Sequence, residues 1–208
     1  MDASIVSIEK PGKKKSKKND SDDKGSGSGE ENVTSEDQPA DMENKHRESQ
    51  IDSDAKWTVK RNKMYFGYKN HIKIDADTKL IESSIVTTAE VHDSQMFPYL
   101  LTESDKGCEI FADKGYAGMG CLTAVVDVKA KPRILHKAYR SKPISEKQKS
   151  ENRTWSKIRA RVEHIFGEQL TSMKFTGLRT VGFERAEFVI QMNNLVYNLK
   201  RLKVLVPA

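Results

Sequence analysis

Apolar and polar positions divide the chain into stretches of different character. Met1–Ile8, MDASIVSI, is short and β-prone after its aspartate. Residues 9–55 carry a KKKSKK run, a GSGSG run and many Asp, Glu, Ser and Asn, but almost no large apolar residue. Such a stretch cannot bury enough surface to offset its ordering entropy, which predicts a disordered linker or a long surface loop. Regular patterning resumes at Trp57. WTVK, the polar RNK and MYFGYKNHIKID predict a hairpin with a short loop. ADTK makes a turn and LIESSIVTT a third strand, so the three form an antiparallel meander.

The second half of the chain changes period. VHDSQMFPYLL predicts a helix capped by Asp93 or Ser94, kept short by Pro98. EIFADKGYAG predicts a short strand ending at Asp113 and a Gly-bearing turn, and GMGCLTAVVDVKA a helix. Helical periodicity then runs from Ser145 to about Leu170 and from Glu184 to Val204. Strands followed by helices in this order predict an α/β layered domain over residues 56–208, with 1–8 contributing a first strand. Trp57 and Trp155 are expected in the core, Tyr116 as a packing aromatic, and His71 and His164 as packing or surface residues.

Charge adds a polarity that the pattern alone lacks. The 208-residue chain carries +6 overall, but residues 1–50 and 51–128 each carry −3, whereas residues 129–208 carry +12. A basic end suggests a polyanion such as nucleic acid, or simply a solvated helix surface. No run approaches the ~20 apolar residues of a membrane span. No apolar segment suited to secretion follows the first few residues. The two cysteines, Cys108 and Cys121, form neither a disulfide framework nor a metal-ligand spacing, which suggests a reducing compartment.

Three acidic residues are placed for chemistry. Asp2 opens the first strand, Asp113 ends an apolar strand, and Glu163 lies in the helix SKIRARVEHIFGEQL. At about 100° per residue, Trp155, Ile158, Val162, Ile165 and Phe166 form one stripe, with Lys157, Arg161, His164 and Glu168 opposite. Glu163 falls at the rim of the stripe and Glu168 outward. Converging carboxylates would bind Mg²⁺ or Mn²⁺ through oxygen. The structural alternatives are a strand start, a turn former and an Arg159–Glu163 helix pair.

These segments resemble the catalytic part of a bacterial DDE transposase of the insertion-sequence-five type. The resemblance runs from MDASIV through WTVKRNKMYFGYKNHIKID, VTTAEVHDSQ and FADKGYAG to NRTWSKIRARVEHIFG and NNLVYNLKRL. It implies a ribonuclease-H-like fold, a mixed sheet flanked by helices, and a triad Asp2, Asp113, Glu163 holding two Mg²⁺, with Mn²⁺ as substitute. It also implies hydrolysis at transposon ends followed by strand transfer into target DNA. Arg133, Arg140, Lys142, Arg153, Lys157 and Arg161 would neutralise phosphates. Arg159 would either contact the scissile region or hold the Glu163 rotamer.

Only Arg159 and Glu163 survive of the family's Y-x2-R-x3-E-x6-K signature, since its tyrosine position is Ser156 and its lysine position Leu170, with Lys174 as a candidate substitute. The chain begins one residue before the first Asp, which predicts a truncated first strand and impaired activity. The alternative is an inactive DNA-binding remnant. The implied setting is the bacterial cytoplasm and nucleoid, as a homodimer on double-stranded DNA and away from membranes.

Overall fold

A computed structural model describes residues 1–8, 51–60, 62–140 and 143–206. The architecture below belongs to one compact unit, Met1–Glu9 together with Ser53–Ala208. The linker expected over 9–55 falls mostly outside the described residues. Its last residues do not: Ala55 is a core residue, and the Asp54 carboxylate accepts from the Phe183 backbone N–H at 3.0 Å. The folded body therefore starts a few residues before the expected boundary at 56.

Four antiparallel strands form the main sheet: β1 (Asp2–Ser7), β2 (Lys56–Lys60), β3 (Lys63–Ile74) and β4 (Ile81–Thr88). The twelve-residue β3 is central. Its second half lies between β1 and β4, and its first half pairs with β2 on the edge opposite β1. Gly67 sits between the two, with Ser7 on one side and Lys56 on the other. Its φ of +149° disfavours any side chain, and a Cβ there would stand 2.3 Å from the Val6 carbonyl oxygen.

Two parallel strands, β5 (Glu109–Ala112) and β6 (Lys131–Ile134), form a second sheet. The patterning does not reveal β6, because KPRI is short and holds two cations and a proline. Pro132 is tolerated in so short a strand. The Met1 nitrogen donates to the Phe111 carbonyl at 2.8 Å, which places the start of β1 beside β5. The spatial order is therefore β4-β3-β1-β5-β6.

Helices cover both faces. α1 (Asp93–Leu100) and α2 (Met119–Asp127) bury Phe97, Leu100, Cys121 and Val125 with Ile110, Ala112 and Tyr116. On the other side, α3 (Glu146–Thr171) and α4 (Phe183–Leu205) bury Val162, Ile165 and Tyr197 against Ile72 and Ile81. Ser145 and Gln148 close a capping box at the start of α3. His92, not Asp93 or Ser94, caps α1: its ring nitrogen accepts from the Ser94 N–H.

Because β3 is covered twice, its polar residues are buried and partnered. Asn70 exchanges hydrogen bonds with Asn194 (2.9 and 3.2 Å), and Gln169 donates to the same Asn194 oxygen at 2.9 Å. On the other face Lys73 donates to both Asp105 oxygens, at 2.8 and 2.9 Å. Tyr116 is buried against Phe97, as expected. Trp57 is not core: it is 44% exposed, leaning on Phe66 near the free end of the β2–β3 hairpin. Trp155 is half-buried between the His136 ring and the Arg133 guanidinium.

Candidate functional site

The site forms where the start of β1, the end of β5 and the middle of α3 meet. Asp2 is the first residue of β1, and Asp113 follows β5 directly. Asp113 precedes a short 3-10 turn, Lys114–Tyr116, whose last backbone N–H returns to the Asp113 carbonyl. The Asp113 side chain makes no capping bond, so its carboxylate is not committed to holding the turn.

Arg159 joins the acids. Its guanidinium donates to Asp2 Oδ2 at 3.1 Å and to Glu163 Oε1 at 2.6 Å. It is 18% exposed, beside an Asp2 side chain at 23% and a Glu163 side chain at 54%. Burial opposes the Arg159 charge, but Asp2, Glu163 and Asp113 outweigh it and hold the guanidinium above its usual range. Burial pushes the Asp2 carboxyl up, against the pull of the Ala3 N–H and of Arg159. Arg159 contacts Glu163, and Asp2 is a second partner that the sequence pattern did not foresee.

The helical wheel placed Glu163 at the rim of the apolar stripe and Glu168 outward. Glu163 is in fact the more exposed, and Glu168 pairs with Lys200 of α4 at 3.0 Å. What turns Glu163 toward the sheet is Arg159, one turn before it, and not burial.

The other basic candidates separate into two groups. Arg140, Arg153 and Lys157 are exposed. Arg133 pairs with Glu109 at 2.7 Å and lies over the Trp155 ring. Arg161 reaches back to the Ala76 carbonyl and to Asp77 at 3.2 Å, fastening the β3–β4 turn. Lys142 lies outside the described residues. Lys174 sits past the end of α3 in a left-handed conformation, about three helical turns beyond Glu163.

A groove opens beside Asp113, between α3 and the segment after β6. Lys114, Lys137, Asn152 and Ser156 line it. Asn152 fixes the segment to α3 through both the N–H and the carbonyl of His136. The sequence pattern did not single out Lys114 and Lys137, although Lys114 follows Asp113 directly. Ser156, at the signature's tyrosine position, faces this groove.

Oxygen donors of this kind suit a hard divalent cation. One oxygen of Asp2 and one of Glu163 already share a single positive charge, the guanidinium, so their chemistry fits such an ion. Among the described residues, however, no three acidic, imidazole or thiol groups stand close enough together to hold a metal. No helix among them is long and apolar enough to cross a membrane.

The transposase DDE domain family matches residues 1–199, and the chain belongs to that family. It is similar to a transposase for the insertion sequence element IS1106 from Neisseria meningitidis serogroup B, with 37% identity over 117 residues. The similarity covers 56% of this chain and 40% of that relative, so the chain accounts for well under two thirds of its length. No solved structure matches the chain.

Proposed function

We propose that this chain is the catalytic part of an insertion-sequence transposase of the insertion-sequence-five type. It would hydrolyse a phosphodiester at a transposon end and transfer the freed 3′-hydroxyl into target DNA. The observation that carries this is the Arg159 bridge between Asp2 and Glu163, 161 residues apart in sequence, at the junction that also holds Asp113. The order β4-β3-β1-β5-β6, with helices on both faces, supports a ribonuclease-H-like fold. A homodimer on double-stranded DNA in the bacterial cytoplasm and nucleoid belongs to the same reading.

Asp2, Asp113 and Glu163 would hold two Mg²⁺, with Mn²⁺ as substitute. When bound, such ions about 4 Å apart activate the attacking oxygen and stabilise the leaving one. The protein's part is placement. Strand ends give Asp2 and Asp113 fixed positions, and Arg159 holds Glu163 on an exposed turn of α3. Arg140, Arg153 and Lys157, with Lys114 and Lys137 along the groove, are free to meet phosphates.

Nicking of supercoiled plasmid in Mn²⁺ tests the proposal. The chain should nick, and Asp113→Asn and Glu163→Gln should each lower the rate at least about 100-fold while DNA binding survives. Equal nicking by all three proteins would overturn it. A second reading, an inactive DNA-binding remnant, is favoured by the wide spacing of the acids and their sharing of one guanidinium. It predicts salt-sensitive binding with no nicking by any form.

A further inference from the structure

α4 carries two apolar faces. One, with Ala186, Ile190, Asn194 and Tyr197, is buried against the chain's own sheet and α3. On the opposite side, Phe188, Met192, Leu195, Leu199 and Leu202 are 65, 41, 49, 57 and 43% exposed. Their spacing alternates four, three, four, three, the seam of a two-stranded coiled coil. One buried face suffices to dock a helix, so nothing in this fold requires the second. An exposed apolar stripe of this length is a liability unless it is covered.

We infer that this stripe is a dimer interface, occupied by α4 of a second copy of the chain running antiparallel. A heptad seam is self-complementary, as a two-fold interface must be. Taking roughly 200 Å² for a large exposed side chain, the stripe offers about 500 Å² per copy and ~1,000 Å² per pair, at the lower limit for a specific interface. Charge sets the direction. Glu184 and Glu187 outnumber Arg185 near the start of α4, while Lys203 is exposed near its end, Lys200 being held by Glu168 and Arg201 by the Thr78 carbonyl. Antiparallel pairing lays each acidic start beside the partner's basic end and also opposes the two helix dipoles. The chain's own 9–55 stretch is a poor occupant, since it has almost no large apolar residue to contribute.

This inference names the surface for the proposed homodimer but needs no DNA and no catalysis. Sedimentation of the full chain without DNA, up to about 100 µM, therefore tests it separately from the nicking assay. The expected mass is twice the 23.6 kDa of one chain. The double variant Leu195→Glu, Leu199→Glu should fall to half that mass with unchanged far-ultraviolet circular dichroism. A monomeric wild-type chain, or a folded double variant that still dimerises, would overturn the inference. A monomeric wild type would point to cover by a different protein or a further part of a longer chain.

Disulfide trapping keeps the test decisive should the double variant fail to fold. In a Cys108→Ser background, Phe188→Cys and Leu199→Cys chains mixed together should crosslink to each other at least tenfold faster than either links to itself. Self-links alone would overturn the antiparallel direction, and no links at all would overturn the interface.

Discussion

Arg159 and His71 show how single side chains set the response to acid. The raised Asp2 carboxyl takes up its proton earlier in the fold than in the unfolded chain. Its contribution is therefore most favourable at low pH and is lost as pH rises through the folded value. Arg159→Gln removes an interaction that limits this loss. Its destabilisation, about 1–2 kcal/mol at pH 7, should shrink on acidification; thermal melts of both proteins from pH 7 to pH 4 would measure this. Arg159→Lys should rescue little, because one ammonium lacks the fork that reaches two acids.

His71 acts with the opposite sign. Thr87 gives its hydroxyl proton to the Thr88 carbonyl, so it accepts from the His71 Nε2–H at 2.9 Å. Nδ1 is then buried without a hydrogen-bond partner, and burial lowers the ring's pKa from 6.5 to about 4. Unfolded His71 gains a proton below pH 6.5 that the folded ring resists, so stability should fall between pH 6.5 and 4 and level off beneath. His71→Gln, which keeps an N–H for Thr87, should flatten that slope in acid denaturation curves.

At the scale of elements, β3 and its neighbours govern stability. Gly67→Ala would set a methyl against the Val6 carbonyl where β1 and β2 flank β3. A loss of about 2–3 kcal/mol is expected in urea titration. Asn194→Ala would strip Asn70 and Gln169 of partners between β3, α3 and α4, costing about 3 kcal/mol by the same measurement. Such elements were legible where one periodicity ruled. The meander, the start of α3 and its Val162–Ile165 stripe all follow from spacing. β6 was not legible, because its four residues gain strand character only by pairing with β5. The orientation of Glu163 escaped the helical wheel because an ion pair, not burial, sets it. The roles of Arg133 and Arg161 escaped because their partners, Glu109 and the β3–β4 turn, are distant in sequence. Asp2, Asp113 and Glu163 were recognisable as words, but the Arg159 bridge from Asp2 to Glu163 is a property of the sheet order.

Over the whole molecule, the −3, −3, +12 distribution puts the excess positive charge in the last 80 residues, which include α3, the helix that carries Arg159 and Glu163. Replacing Arg140, Arg153 and Lys157 together by Ala should lower the salt slope of DNA binding by about 2–3, readable as log affinity against log salt by fluorescence anisotropy. Gly67 has a different consequence. Ser7 and Lys56 pair with that one residue from its two sides, so the chain between them leaves and re-enters the sheet two strand spacings, ~10 Å, apart. Closing such a loop costs an entropy that grows only with the logarithm of its length, about 0.6 kcal/mol per doubling. The fold is thus nearly indifferent to how much polypeptide is spliced between β1 and β2. Relatives are free to drift in length there, and a fluorescent reporter inserted at that point should leave the sheet, and the acids at its edge, in register.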